Sequence, residues 1–315
     1  MNVLVTGGAG YLGAVLVPRL LANGHAVTVL DLFEHGVPSL LHVATNARLT
    51  IQRLDLRGVP SLFTMERYDA IVHLAALVGA PACDARPETA REVNVAVTRH
   101  LVLAQLAVHP HAPFIFPCTN SGYGRGGTLP CTEDDPMTPL SLYGRTKVEA
   151  ERIVLAHPRG ISLRFATLYG PSPRMRLDLL VNDLTHRAAR DGRITLYEPE
   201  FRRCVLHVED AARAILSALM AHRQGLARKS WNVGAENVTK RELAEAIKHS
   251  VPGLAIEEVE GRDPDQRDYA VSSARFLAAT GWRPKTPLRV GIEQLVAVLK
   301  TQPLHDGVAS GWRNA

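Results

Sequence analysis

Tyr143 and Lys147 stand four residues apart in Leu142-Tyr143-Gly144-Arg145-Thr146-Lys147. Residues i and i+4 share one helix face, so the spacing predicts a phenol and an ammonium directed into one place. A phenol of pKa about 10 is a poor base at neutral pH, and bringing it to neutrality takes roughly 4 kcal/mol. A neighbouring cation supplies part of that by favouring the phenolate. The pair could then take a proton from an alcohol. Tyr-x-x-x-Lys also recurs by chance on surface helices, so its meaning depends on its surroundings.

A second group of residues supplies a partner chemistry. Thr6-Gly7-Gly8-Ala9-Gly10-Tyr11-Leu12-Gly13 lies between an apolar run, Val3-Leu4-Val5, and a segment with helical apolar spacing, Leu12 to Leu21. Gly7 permits a tight turn, Gly10 lets backbone approach a pyrophosphate, and Gly13 lets helix pack closely on strand. The helix start, with Tyr11 and Leu12, offers unpaired N–H groups to phosphate. Eighteen residues after Gly13, at the end of the next predicted strand, stands Asp31, placed to accept from ribose hydroxyls. An acid there repels a 2′-phosphate, and no Arg or Lys follows closely, which points to NAD over NADP.

The elements that must hold these residues read as strands alternating with helices. Strands are predicted at 3–5, 26–30, 48–54, 70–74, 113–116 and 160–168. Helices are predicted over about 88–108 and 141–156, and a further helix and strand over 208–221 and 230–233. Short apolar strands alternating with helices predict right-handed crossovers and a parallel sheet covered on both faces. The fold class is therefore α/β: a Rossmann-type doubly wound parallel sheet with a smaller C-terminal substrate-binding domain. The expected division is 1–170 plus about 208–235 for the NAD-binding part, and 171–207 plus 236–315 for the substrate part. The tail after Thr301 shows little periodicity.

Bulk properties exclude other classes. The chain has 315 residues, 46% hydrophobic and 21% charged, as in soluble globular proteins. No run approaches the roughly 18 apolar residues of a membrane span. The net charge of +5 is scattered, without the basic stripe that nucleic acid binding needs. Cys83, Cys118, Cys131 and Cys204 show neither C-x-x-C nor zinc-ligand spacing, so no metal is expected; reduced thiols in a cytoplasmic protein are.

With His73-Leu74-Ala75-Ala76 after the fourth strand and Thr119 to Gly124 after the fifth, these motifs together resemble the extended short-chain dehydrogenases/reductases. Within them the chain resembles the NAD-dependent epimerase/dehydratase branch, which modifies nucleotide-sugars. The resemblance covers roughly residues 1–300. It implies that Asp55 and Leu56 contact the adenine and that Ala75 and Ala76 line the path of the pyrophosphate and nicotinamide ribose. It also implies that Lys147 holds that ribose, and that Thr119, four residues before Tyr123, hydrogen-bonds the reacting sugar oxygen beside Tyr143. Asn94 would be supporting. The branch further implies a homodimer built on the two long helices.

On the substrate side, Arg203 in Arg202-Arg203-Cys204-Val205-Leu206-His207-Val208-Glu209-Asp210 resembles the arginine that grips the substrate diphosphate. Arg262 and Arg267 resemble late arginines that close over it. His207 and Asp210 are expected to cap the following helix. Asn120, Ser121, Arg176 and Asn182 are candidate sugar contacts, and Thr167 stands where many relatives carry Asn. Relatives that perform 4,6-dehydration carry Asp-Glu after the catalytic Thr; Asn120-Ser121 cannot replace that pair. Cys118 ends a buried strand and should point away from the Thr119 side chain. The expected activity is that of an NAD-dependent nucleotide-sugar epimerase acting through Tyr143, Lys147 and Thr119. A keto-sugar reductase or dehydratase is the alternative, and a non-catalytic dinucleotide sensor the remote one, which would need neither Tyr143 nor Lys147.

Overall fold

The computed structural model describes residues 1–35, 38–58, 68–263 and 265–301. Its first strand, β1 (Asn2–Thr6), is apolar at Val3, Leu4 and Val5, all three fully buried. It leads into α1 (Gly13–Ala22) and β2 (Ala26–Asp31), followed by β3 (Leu49–Arg53) and β4 (Ala70–His73). Then come α2 (Ala80–Ala85), α3 (Pro87–Arg91), α4 (Val97–Val108), β5 (Phe114–Thr119), α5 (Leu142–Ala156), β6 (Gly160–Phe165) and β7 (Thr167–Tyr169). The remaining elements are α6 (Leu180–Asp191), β8 (Arg193–Tyr197), β9 (Arg202–His207), α7 (Val208–Ala221), β10 (Lys229–Val233), β11 (Glu236–Thr239), α8 (Lys240–Ser250), β12 (Ala255–Val259), α9 (Ala274–Thr280) and α10 (Leu288–Thr301).

Among the described residues one sheet has seven strands in the order β10-β6-β5-β4-β1-β2-β3, every pair parallel. The strand order reverses between β1 and β4. In sheets of this kind ligands bind in the crevice beyond the carboxyl ends at that point. The Rossmann-type α/β class read from the sequence is the observed one. Beside this sheet, β9 joins β7 in parallel and β11 antiparallel, and β8 pairs with β12. Helices α6, α8 and α10 pack around this smaller part.

Two elements differ from the sequence reading. The strand expected over 160–168 is two strands. The chain leaves the main sheet at Ala166, whose N–H donates to the Val233 carbonyl at 2.9 Å, and β7 enters the smaller sheet against β9. An apolar run reads the same whichever sheet buries it, so periodicity cannot see the switch. The long helix over 88–108 is interrupted by a π-helical turn, Glu92–Ala96, between α3 and α4. Such turns recur at functional sites, and this one carries Asn94. The segment beyond Thr301 lies outside the described residues. No helix among them is long and apolar enough to cross a membrane.

Candidate active site

The carboxyl ends of β1, β4, β5 and β6 open onto one continuous cleft of about 1200 Å³. It is lined from Gly7 and Asp31 at one end to Arg203 and Arg267 at the other. The first end is built from backbone. A Cβ on Gly7, which has φ +69°, would lie 2.6 Å from the Ala75 nitrogen, and one on Gly13 would lie 2.5 Å from the Gly8 carbonyl oxygen. Gly10 is different: its nearest neighbour would be the Gly7 oxygen at 3.2 Å, and its other side faces the cleft. This is an open cradle at a helix start, suited to a pyrophosphate. Tyr11, Leu12, Ala75, Ala76, Asp55 and Leu56 line the same end. Asp31 accepts from the Ala9 and Phe33 amides at 2.9 and 2.7 Å, which fixes its carboxylate at the mouth of the turn. Asp55 pairs with Arg57 at 2.6 Å, and hydrogen bonds from Arg57 hold its carboxyl below the usual range.

The candidate reacting residues Tyr143 and Lys147 are carried by α5. Ser141 caps its start, accepting from the Gly144 amide at 3.1 Å, and Tyr143, Lys147 and Glu151 then follow at i, i+4 and i+8 on one stripe. Glu151 bonds Arg164 on β6 at 2.6 Å, Ser162 at 2.9 Å and Ser230 on β10 at 3.0 Å. Arg164 in turn donates to the Tyr123 hydroxyl at 2.9 Å. This buried network fixes the back of the stripe to the sheet while Tyr143 and Lys147 face the cleft. From the other side, Asn94 accepts from the Leu77 amide at 2.8 Å and donates to the Leu77 carbonyl and the Thr146 hydroxyl. The π-helical turn thereby ties α5 to the loop after β4. His73 is buried between the Thr6 and Thr98 hydroxyls, and burial lowers its imidazole to about 3, so it is a neutral strut.

Lys147 is 4% exposed, with its Nζ 3.8 Å from the centre of the Phe116 ring. Burial lowers its ammonium to about 8. Burial also pushes the Tyr143 phenol up, while the guanidiniums of Arg176 and Arg267 pull it down. Thr119 lines the cleft at the end of β5, its hydroxyl accepting from the Ser121 amide at 3.1 Å. Thr119, Tyr143 and Lys147 therefore line one cavity with the Gly10 cradle. Cys118 is buried, its Sγ turned to the Lys147 carbonyl at 3.6 Å; burial raises its thiol well above the ordinary value, so it is inert.

At the far end the structure sorts the expected substrate residues. Ser121, Thr167, Arg176, Arg203 and Arg267 line the cleft. Arg267 donates to the Ser121 hydroxyl and pairs with Asp265. Arg203 is 2% exposed; it bonds the Arg202, Arg267 and Asp265 carbonyls and the Asp265 carboxylate, and its Nε has no partner among the described residues. It thus sets the loop that carries Arg267. Three expected contacts lie off the cleft lining. Asn182 accepts from the Gly170 amide at 3.0 Å and donates to the Arg176 carbonyl at 2.8 Å, which makes it a tie within the wall. Asn120 is wholly buried off the cleft lining, and its side-chain amide has no hydrogen-bond partner among the described residues. Arg262 is exposed and does not line the cleft. His207 caps α7, accepting from the Glu209 amide, and Asp210 accepts from the Lys285 and Thr286 amides.

Sequence reasoning passed over Arg174, 2% exposed and in the cleft wall, and the acids Asp178 and Asp265 that aim Arg176 and Arg267. The signal for Arg174 was its place two residues before Arg176. The signal for the acids was an Asp two residues from each arginine.

Comparison with known proteins places this arrangement. A profile of the NAD dependent epimerase/dehydratase family matches residues 3–234. UDP-glucose 4-epimerase from Mycolicibacterium smegmatis is 30% identical over 328 residues, 96% of this chain and 99% of that protein. UDP-glucose 4-epimerase 3 from Oryza sativa subsp. japonica is 35% identical over 189 residues, which span 57% of this chain and 48% of that protein. Among solved structures, a dTDP-glucose 4,6-dehydratase from Streptomyces venezuelae with NAD bound superposes with a TM-score of 0.84 at 25% identity, covering 96% of this chain and 98% of that one.

Proposed function

The chain belongs to the NAD-dependent epimerase/dehydratase family, and from that premise we propose that it is a nucleotide-sugar epimerase working through Tyr143, Lys147 and Thr119. The observation that carries this reading is the shared wall on which those three residues stand, between the Gly10 cradle and Arg267, with no carboxylate directly after Thr119. When bound, NAD supplies a hydride acceptor and donor whose oxidised ring, being positive, also favours the Tyr143 phenolate. Thr119 donates to the reacting sugar oxygen and holds it against Tyr143. Tyr143 takes the hydroxyl proton and later returns it. Lys147, cationic below about pH 8, stabilises the phenolate in between. Arg267, aimed by Asp265 and Arg203, holds the substrate diphosphate through a guanidinium fork, and Thr167 and Arg176 border the sugar.

Asn120 and Ser121 supply no acid–base pair for loss of water. Asn120 is buried off the cleft lining and Ser121 accepts from Arg267. The test is a screen of nucleoside diphosphate sugars by proton NMR. One substrate should return its inverted epimer with no net consumption of NAD, and Tyr143→Phe should lower turnover about 10³-fold while NAD stays bound. Net, stoichiometric NADH oxidation on a keto-sugar, or full activity in Tyr143→Phe, would overturn the proposal. We extend it to assembly as a homodimer through the outer faces of α4 and α5. There Arg99, His100 and Leu103 stand exposed beside Arg145, Glu149 and Arg152. Light scattering that gives a monomer at micromolar concentration would refute that part.

A further inference from the structure

The segment from Gly170 to Arg176 runs along the cleft wall as a strap, and its fastenings are specific. The Tyr11 hydroxyl, in the glycine-rich turn, donates to the Gly170 carbonyl at 2.6 Å. The Ser172 hydroxyl donates to the Tyr11 carbonyl at 2.8 Å. Asn182 joins the two ends of the strap, accepting from the Gly170 amide and donating to the Arg176 carbonyl, and its amide also reaches the Tyr11 hydroxyl at 3.3 Å. The root is fixed as well: Gly170 has φ +107°, and a Cβ there would lie 2.3 Å from the His207 ring.

The strap carries two guanidiniums, Arg174 and Arg176, 2% and 7% exposed, both in the cleft wall. Their surroundings place them in order along the cleft. Arg174 is within electrostatic reach of Asp31 and Arg176, and after burial its charge is what most lowers the imidazole of His35. Arg176 stands beside Gly79, its Nη2 3.9 Å from where a Cβ would be, and its charge is felt by the Tyr143 phenol. The series is therefore Asp31, Arg174, Arg176, Tyr143. A dinucleotide with its adenosine ribose at Asp31 and its reactive ring at Tyr143 has its pyrophosphate midway, and the Gly10 cradle faces that midpoint from the turn.

We propose that the strap is a cofactor clamp: Arg174, with Arg176 behind it, neutralises the dinucleotide pyrophosphate from the side opposite the glycine-rich turn, and the fastenings to Tyr11 hold NAD as a resident group. Asp178 pairs with Arg176 at 2.5 Å, and burying a second guanidinium beside that pair on one short segment still costs. A doubly charged pyrophosphate between strap and turn removes that cost, and NAD release then requires the strap to part from Tyr11. This rests on the NAD site and not on which sugar reacts, so its test contains no sugar.

Purified protein is loaded with isotope-labelled NAD, and release is followed after dilution into unlabelled NAD. Arg174→Gln should release NAD about tenfold faster, the loss of one charge-assisted hydrogen bond. Ser172→Ala, which opens the strap without touching charge, should release it about threefold faster. Release from Arg174→Gln within twofold of the parent protein, with melting temperature unchanged, would overturn the clamp. So would weakened binding of UDP with NAD release unaffected, since Arg174 would then serve the substrate diphosphate. Should Arg174→Gln not fold, Ser172→Ala decides: faster release supports the clamp, and unchanged release refutes it.

Discussion

The two ends of the cleft are built from different materials. At the proposed nucleotide end the groups offered are backbone: the turn from Gly7 to Gly13, the start of α1 and the amides that fix Asp31. They come from one stretch of chain plus the next strand end. At the proposed sugar end they are side chains, short hydroxyls and long guanidiniums, from scattered segments. Thr119 comes from the end of β5, Ser121 from the turn after it, Thr167 from β7, Arg176 from the strap, Arg203 from β9 and Arg267 from a late loop. Backbone sites depend on atoms that cannot move without moving the fold. Side-chain sites depend on reach, and on the acids that aim each cation. Where the first end is closely packed it should therefore fail as folding, and the second end should fail as binding.

The sharpest test of that difference is Gly13→Ala. The added Cβ meets backbone at 2.5 Å, which no rotamer change relieves, so we expect destabilisation of about 3 kcal/mol and loss of NAD. Gly10→Ala is its control. The nearest atom there is at 3.2 Å, so the fold should hold within about 1 kcal/mol while NAD affinity drops. Denaturant melts with and without NAD measure both. If Gly10→Ala unfolds the protein as Gly13→Ala does, the cradle is structural and not a phosphate site.

Lys147 sits where the ends meet, and its expected effect is next in size. Burial lowers it from 10.5 to about 8. Between those values the unfolded chain holds the proton that the folded chain has lost, so stability rises with pH across that window. Below about pH 8 both states are protonated and the full penalty of the buried cation is present. Lys147→Met should therefore abolish turnover yet raise stability at pH 7 by about 2 kcal/mol, with the difference shrinking as pH rises from 8 to 10. Thermal melts across that range decide it. A variant less stable than the parent at pH 7 would mean that the contact with Phe116 outweighs the desolvation.

The same division explains what could be read from the sequence. Gly7, Gly10, Gly13 and Asp31 were legible because contiguous spacing dictates backbone geometry. The i, i+4 spacing of Tyr143 and Lys147 was legible because α5 is one regular helix capped at Ser141. Ala166 was not, since a fully apolar run carries no mark of a change of sheet. The π-helical turn at Asn94 was not, since one wide turn leaves the apolar period almost unaltered. Asn182 was placed at the sugar by residue type, but an amide serves a wall as well as a ligand. Nothing local distinguishes the two until Gly170 and the Arg176 carbonyl are seen beside Asn182.

Arg267→Met is the test of the sugar end. Arg267 reaches Ser121 in the turn that follows Thr119, so its loss should weaken UDP binding about tenfold and leave NAD binding and melting temperature nearly unchanged. Titration calorimetry with UDP reads the effect. A comparable loss of NAD would merge the two ends and break the comparison.

The smallest effect is expected at Arg262, on the same late loop. Its type and spacing matched a phosphate-closing arginine as well as those of Arg267. Two features separate them. Arg267 has Asp265 two residues away to aim it and Ser121 across the cleft to meet it, whereas Arg262 is exposed and does not line the cleft. An exposed charge is screened by solvent and salt and contributes little. Arg262→Ala should therefore change UDP affinity less than about twofold at physiological salt. If it instead costs as much as Arg267→Met, the loop must fold inward over the nucleotide, and the sugar end would be completed only when substrate binds.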